Sequence, residues 1–354
     1  MTSVDELRRR TLETLTRPTY SLARMDMVLL NDNANLFGVN PAVEEVAEKF
    51  DFSRLWAYPS ENSDALRQAL AQEHGVSLDE VIVGNGSDEL LDISSKCFIN
   101  PGDVFASPTP TFSMYKFYAN VNLARVSEQV LGRSFSLDAD ELLADRPKLI
   151  AICQPNNPTA NLFDPVEVRK LLKWSPGLVI VDEAYCDFCG SDMLQDVLDS
   201  EKGIDIRTFS KAYGMAGLRV GYAIAPKEII GELRRVRTPF GLNSFTEAVA
   251  IRALEHKQWV MGTVRRMQSE RQYLASKLIS LGFEVYPSCC NFLLCKAPVA
   301  SPALVSALRG EGVAIRDCSS YPLLENHVRI TIGPRAMLDT LLEKLGHLVA
   351  GGPG

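Results

Sequence analysis

The sequence predicts an α/β protein in which a large domain with a mostly parallel sheet flanked by helices precedes a smaller α+β domain. Three observations carry that prediction. From Glu80 to Ala223, short apolar runs alternate with segments of helical composition, as parallel strands joined by crossover helices do. The run Leu149-Ile150-Ala151-Ile152-Cys153 is apolar at every position, which fits a strand covered on both faces. After Gly241 the pattern changes to two helices, then short strands alternating with helices. A chain of 354 residues is long enough for two domains. We expect an N-terminal arm over 1–35, a large domain over 36–243 and a small domain over 244–354 that packs with the arm.

In chain order, 4–16 has helical composition and Pro18 ends that helix. A strand over 27–30 leads into NDNANLFG, whose Asn and Asp residues favour turns. Pro41 opens a short helix reaching Phe50. The aromatic loop WAYPSENS enters a helix with Ser60 or Asn62 as cap. A strand over 80–83, the turn Gly84-Asn85-Gly86 and a helix from Ser87 follow. Next come a strand at 103–107, a helix at 111–119, strands at 121–126 and 148–153, a helix at 164–173 and a strand at 178–181. The strand ending at Phe209 and the apolar run 218–223 complete the large domain. Beyond it, 245–281 reads as two helices. Strands at 283–286, 292–295, 313–315 and 328–332 alternate with helices at 302–309 and 334–348.

Composition removes several functions. A net charge of −7 disfavours nucleic-acid and anionic-membrane surfaces. No apolar run reaches the roughly 18 residues of a bilayer span, and the N-terminus lacks the apolar stretch of a secretory signal. The eight cysteines are therefore expected to be reduced thiols in the cytoplasm. Cys186 and Cys189 form a CxxC without a second pair at zinc-ribbon spacing, so no metal is expected.

The remaining signals sit where strands end. Gly84–Gly86 joins a strand to a helix N-terminus, and such a junction offers backbone N–H groups and the helix dipole to an anion. A dinucleotide fingerprint would need a third glycine where Glu89 stands. Ser210 and Lys211 follow the next buried run, and Arg219 stands in the one after it. Buried-strand cations require partners. Taken alone, the pair also fits a solvated lysine and a structural arginine. Its sharper reading is a lysine that condenses with a carbonyl cofactor beside an arginine that holds a phosphate. In open α/β sheets ligands bind beyond the carboxyl ends of strands, so these turns are expected to converge.

The motifs GNGSDELL, SPTPTFSMY, QPNNPTA, VIVDEAYCDF, TFSKAYGMAGLRVGY and HVRITIG occur in this order. Together they resemble the fold-type-I, pyridoxal-phosphate-dependent aminotransferases, within them the histidinol-phosphate aminotransferase group, over most of the chain. The resemblance implies that Lys211 is the Schiff-base lysine and proton carrier, that Asp182 lies under the pyridine nitrogen, and that Tyr185 and Asn157 contact the phenolic oxygen. It places the cofactor phosphate on Gly86, Ser87 and Asp88 with Thr208, Ser210 and Arg219, and Phe112 on the cofactor ring. Tyr58 matches a tyrosine that reaches the phosphate in a neighbouring subunit, which implies a homodimer with shared sites. Arg329 matches the substrate-anion arginine, and Tyr20 and Arg316 match contacts to the substrate's own phosphate.

The implied reaction is amino transfer between histidinol phosphate and 2-oxoglutarate in histidine biosynthesis, by Schiff-base exchange on Lys211 and a 1,3-proton shift. Aromatic amino acid transamination and decarboxylation of a phosphorylated amino acid, as by a threonine-phosphate decarboxylase, remain alternatives on the same fold. Ala160 replaces a usual glycine and NDNANLFG a more usual NENPLG, so departures gather on the substrate side.

Overall fold

The structure is a computed structural model that describes residues 10–13, 15 and 26–350. Tyr20 and most of the helix expected over 4–16 lie outside the described residues; Arg10–Glu13 form a 3-10 turn. Val28–Leu29 is β1. Helix α1, Pro41–Lys49, starts with proline in its first turn, and the Asn40 side chain accepts the Ala42 N–H. Helix α2, Asp64–His74, has Ser63 as its N-cap instead of Ser60 or Asn62. Ser63 is in a left-handed conformation and makes no capping bond, while the Ser60 hydroxyl accepts the Asp64 N–H at 3.2 Å.

The chain continues with β2 (Val81–Asn85), α3 (Ser87–Phe98), β3 (Val104–Thr109), α4 (Met114–Val121) and β4 (Arg125–Val130). The strand expected at 121–126 thus begins only at Arg125. Tyr115, Tyr118 and Ala119 bury one face of α4 at helical spacing, which carries the helix through Val121. Then come α5 (Ala139–Ala144), β5 (Leu149–Cys153), α6 (Pro165–Trp174, capped by Asp164), β6 (Leu178–Asp182) and α7 (Leu194–Asp199). Strands β7 (Gly203–Thr208) and β8 (Val220–Ile224) and helix α8 (Lys227–Val236) close the unit. Helices α5 and α7 have six residues each, too few for a periodic signal.

The main sheet has the order β2-β8-β7-β6-β5-β3-β4. Only β8 runs antiparallel to its neighbours. Alternation along each strand feeds both sheet faces. In β5, Leu149, Ala151 and Cys153 join one core cluster, which α3, α4 and α8 cover, while Ile150 and Ile152 join another beneath α6. In β2, Ile82 joins the first cluster while Val81 and Val83 pack with Leu66 and Leu70 of α2.

The C-terminal part holds α9 (Ser244–Glu255), α10 (Lys257–Ser280), β9 (Glu284–Val285), β10 (Phe292–Lys296), α11 (Ser301–Gly310), β11 (Val313–Ala314), β12 (Arg316–Asp317), β13 (His327–Thr331) and α12 (Arg335–Ala350). Helix α9 buries Val249, Ala250 and Ala253 in the same cluster as Leu66 and Leu70, so it packs on the large sheet's layer. An antiparallel sheet of order β12-β13-β10-β9 lies in this part, separate from the main sheet. From the arm, β1 pairs in parallel with β11. Among the described residues no helix is long and apolar enough to cross a membrane, and all eight cysteines are free thiols.

Candidate active site

A cavity of about 220 Å³ opens where β6 and β7 end, opposite the N-terminus of α3 and the edge of the small sheet. Ser87, Asp88, Thr208, Ser210, Lys211 and Arg219 line one end. Phe112, Asn157, Asp182, Tyr185, Arg316 and Arg329 also line it. The expected convergence of the strand-end turns is therefore what the fold produces.

Lys211 stands in the turn after β7. Its Nζ donates to the Asp32 carbonyl at 3.1 Å and lies 5.7 Å from the centre of the Tyr185 ring. Burial, aided by the nearby Arg329 charge, pulls its ammonium from 10.5 down to about 8. Asp182 is the last residue of β6 and 3% exposed. The Tyr115 hydroxyl donates to its Oδ2 at 2.7 Å, and the Ala184 N–H donates to its Oδ1 at 3.1 Å. Burial pushes this carboxyl from 3.8 up to about 6, and the two hydrogen bonds pull it back.

The other strand-end turn brings a helix N-terminus and an arginine together. Gly86 is the N-cap of the 12-residue α3 and offers no capping side chain. It adopts φ +79°, and a Cβ there would come within 2.5 Å of the Arg219 guanidinium. On β8, a Cβ at Gly221 would stand 2.3 Å from the Ser87 nitrogen, so two glycines let strand, helix start and arginine close together. The Arg219 guanidinium donates to Asp88 Oδ2 at 2.8 Å. Ser210 is fixed by its N–H to the Thr208 hydroxyl at 3.1 Å, and that hydroxyl donates to Val220 O at 3.2 Å.

At the far end, Arg329 on β13 is paired in register with Arg316 on β12. Arg329 donates to Asn157 Oδ1 and to the Asn31 carbonyl, both at 2.6 Å, and lies 5.4 Å from the centre of the Phe292 ring. Arg316 and Arg329 therefore bring two positive charges to one edge of the cavity. Phe112 stands edge-on to Tyr115, ring centres 5.5 Å apart. Tyr58 is elsewhere: it is 83% exposed and stacks at 4.9 Å on Phe240.

Sequence reading missed three features. Tyr115, in the first turn of α4, puts its hydroxyl on Asp182, whereas its place beside other apolar residues signals only a core tyrosine. Asn33 donates its amide to the Tyr185 hydroxyl at 3.0 Å, and its turn-rich segment gave no sign of burial. Behind the cavity, Arg207 pairs with Glu183 and Asp205, both at 2.8 Å and both fully buried, and so ties the end of β6 to β7. Among the described residues no cluster of His, Cys, Asp and Glu is arranged to hold a metal.

The family described as aminotransferase class I and II matches residues 25–345. A histidinol-phosphate aminotransferase from Methanocella arvoryzae is 35% identical over 336 residues, covering 93% of this chain and 92% of its own. The chloroplastic enzyme of that name from Nicotiana plumbaginifolia is 36% identical over 330 residues, covering 91% of this chain and 79% of its own. Among solved structures, histidinol-phosphate aminotransferase from Sinorhizobium meliloti in complex with pyridoxal-5'-phosphate matches with a TM-score of 0.90, at 23% identity over 97% of each chain. The chain belongs to the aminotransferase class I and II family, in its histidinol-phosphate aminotransferase group.

Proposed function

We propose that the protein is a histidinol-phosphate:2-oxoglutarate aminotransferase that works with pyridoxal 5'-phosphate. One observation carries the reading: a single cavity holds a lysine of depressed pKa, a buried carboxylate, a capless helix N-terminus with one arginine, and a pair of arginines from the small sheet. The cradle at Gly86, Ser87, Asp88 and Arg219 suits a phosphate by backbone N–H groups, helix dipole and guanidinium together, with Thr208 and Ser210 beside it. Phe112 offers an apolar face, and Asn157 and Tyr185 offer polar groups to a ring oxygen. When bound, the cofactor supplies an electron sink for charge developing at the substrate α-carbon.

The chain's own groups do the rest. Asp182, ionised above about pH 6, would hold a proton on the ring nitrogen of a bound cofactor. Lys211, at about 8, is neutral in a useful fraction near that pH, as nucleophile and as proton carrier. Arg329 and Arg316 bind the substrate anion, and Tyr20, outside the described residues, is proposed to join them. The names of the curated relatives favour histidinol phosphate, whereas L-threonine-O-3-phosphate decarboxylase from Porphyromonas gingivalis is alike at 23% identity, in fold alone.

The test compares kcat/KM for histidinol phosphate and phenylalanine, each with 2-oxoglutarate, in the wild type and in Arg329→Ala. Histidinol phosphate should be preferred. Arg329→Ala should raise KM for acidic substrates by about 10- to 150-fold, the equivalent of one charge-assisted interaction of about 1.5–3 kcal/mol. Preference for phenylalanine would overturn the substrate, and an unchanged KM would overturn the role of Arg329.

We further propose a homodimer in which Tyr58 serves the neighbouring site. Phe52, Leu55, Trp56 and Tyr58 expose a contiguous apolar stretch, Trp56 by 85%, and such patches mark docking surfaces. Trp56→Glu should shift sedimentation from dimer to monomer and remove most activity. A fully active monomer would contradict this arrangement.

A further inference from the structure

Asn33 belongs to the segment that departs most from the family's usual pattern, yet it is among the most completely bonded side chains of the cavity. It is 1% exposed and lines the cavity beside Tyr185. Its backbone N–H donates to the Thr331 hydroxyl at 2.9 Å, and its carbonyl accepts the Asn291 amide at 2.9 Å. Its side-chain oxygen accepts from the Thr331 hydroxyl at 3.2 Å, and its amide nitrogen donates to the Tyr185 hydroxyl at 3.0 Å. The residue takes φ +56°, which asparagine tolerates better than most. Arm, small sheet and large domain thus meet at one amide.

A tyrosyl hydroxyl has one proton to give and can accept in return. With the Asn33 amide donating to it, the oxygen must give its own proton elsewhere. The 3.0 Å separation suits N–H···O, since O–H···O bonds cluster near about 2.7–2.8 Å. Tyr185 otherwise faces the Phe292 and Phe188 rings, and the cavity lies open to it. The titratable groups near it are Arg329, Cys153, Cys290 and Lys211. A hydroxyl whose oxygen is already occupied by a donor is set to donate to an anionic oxygen in the cavity.

We propose that Asn33 is a positioning residue that aims the Tyr185 proton at an aromatic phenolate oxygen of the bound ligand. This rests on the pyridoxal-phosphate reading above. The donated proton stabilises negative charge on that oxygen and so lowers the pH at which the lysine-bound chromophore loses its proton. Asn33→Asp keeps the size and the tolerance for positive φ but replaces the donor by an acceptor. The hydroxyl then gives its proton to residue 33 and no longer to the ligand.

The experiment is a pH titration of the visible band of the holoenzyme, together with the affinity of the cofactor-free protein for pyridoxal phosphate. Asn33→Asp should raise the titration midpoint by about one pH unit, a tenfold change in the proton equilibrium. In the Tyr185→Phe background the same substitution should shift it much less, because the hydroxyl that couples the sites is gone. Should Asn33→Asp fail to fold, Thr331→Val, which frees the amide from its anchor, should raise the midpoint in the same direction. Equal shifts with and without the tyrosine hydroxyl, or an unmoved midpoint with only a lower Tm, would overturn the inference and leave the cofactor reading standing. A wild-type protein that develops no visible band with pyridoxal phosphate would overturn both.

Discussion

Lys211→Ala is expected to abolish turnover, lowering kcat/KM by about four orders of magnitude or more, because the variant would lose the proposed nucleophile and proton carrier at once. It should retain cofactor through the proposed cradle of Gly86, Ser87 and Arg219, which the substitution does not touch. Residual transamination above about 1% of wild type, against the hundredfold floor for losing an acid–base group, would refute the assigned role. The same residue is a structural liability. The folded pKa, about 8, lies below the unfolded 10.5. Between those values the unfolded chain binds more protons, so the lysine's contribution to stability improves as pH rises from 8 to 10.5. Below pH 8 its full cost is present. Lys211→Met should therefore stabilise the cofactor-free protein at pH 7 by about 1–3 kcal/mol, discounted because the amine faces the cavity's water. That gain should vanish above pH 10.5. Urea unfolding at both pH values measures it, and a variant less stable at pH 7 would contradict the buried ammonium.

Asp182→Asn should lower kcat/KM by a few hundred- to a few thousand-fold, since removing one charge of a buried pair costs about 3–5 kcal/mol. The substitution distinguishes two roles. An asparagine oxygen can still accept a hydrogen bond at the Ala184 N–H or the Tyr115 hydroxyl, so a residue that only shapes the turn would tolerate the change. A residue that holds a proton on a ring nitrogen would not. Activity within tenfold of wild type would sink the electrostatic role.

The pH dependence has a definite sign. The folded carboxyl keeps its proton up to about pH 6, while the unfolded one ionises near 3.8. Across that window the folded state binds more protons, so this group's contribution to the stability of the cofactor-free protein falls by about 3 kcal/mol as pH rises from 3.8 to 6. The fall should be missing from Asp182→Asn, and the difference between the two unfolding series isolates it. A function lost alongside an unchanged or improved fold is what a site held at a cost in stability predicts.

Much of the fold is legible in the sequence. Apolar runs that stay apolar at every position, as at Leu149–Cys153, require cover on both faces, and that requirement alone implies helices above and below a parallel sheet. Ligands in such sheets lie past the strands' carboxyl ends, so the turns holding Gly86, Asp182 and Lys211, each placed after an apolar run, are expected to converge. The boundary of α4 was less legible, because Val121 suits a helix end and a strand start equally and only the burial of Tyr115 and Tyr118 decides.

What sequence by itself determined was the layered scaffold and which side chains stand just past the strand ends, since both follow from local pattern: strand period, glycine turns and the residues placed just after them. Only the tertiary structure decided how those groups are tuned. The Tyr115 hydroxyl on Asp182, the Asn33 amide on Tyr185 and the pairing of Arg316 with Arg329 join residues far apart in the chain. Desolvation depends on what packs around a group from every direction, which no local spacing encodes; that is why the lysine near 8 and the carboxyl near 6 emerge only from the folded chain.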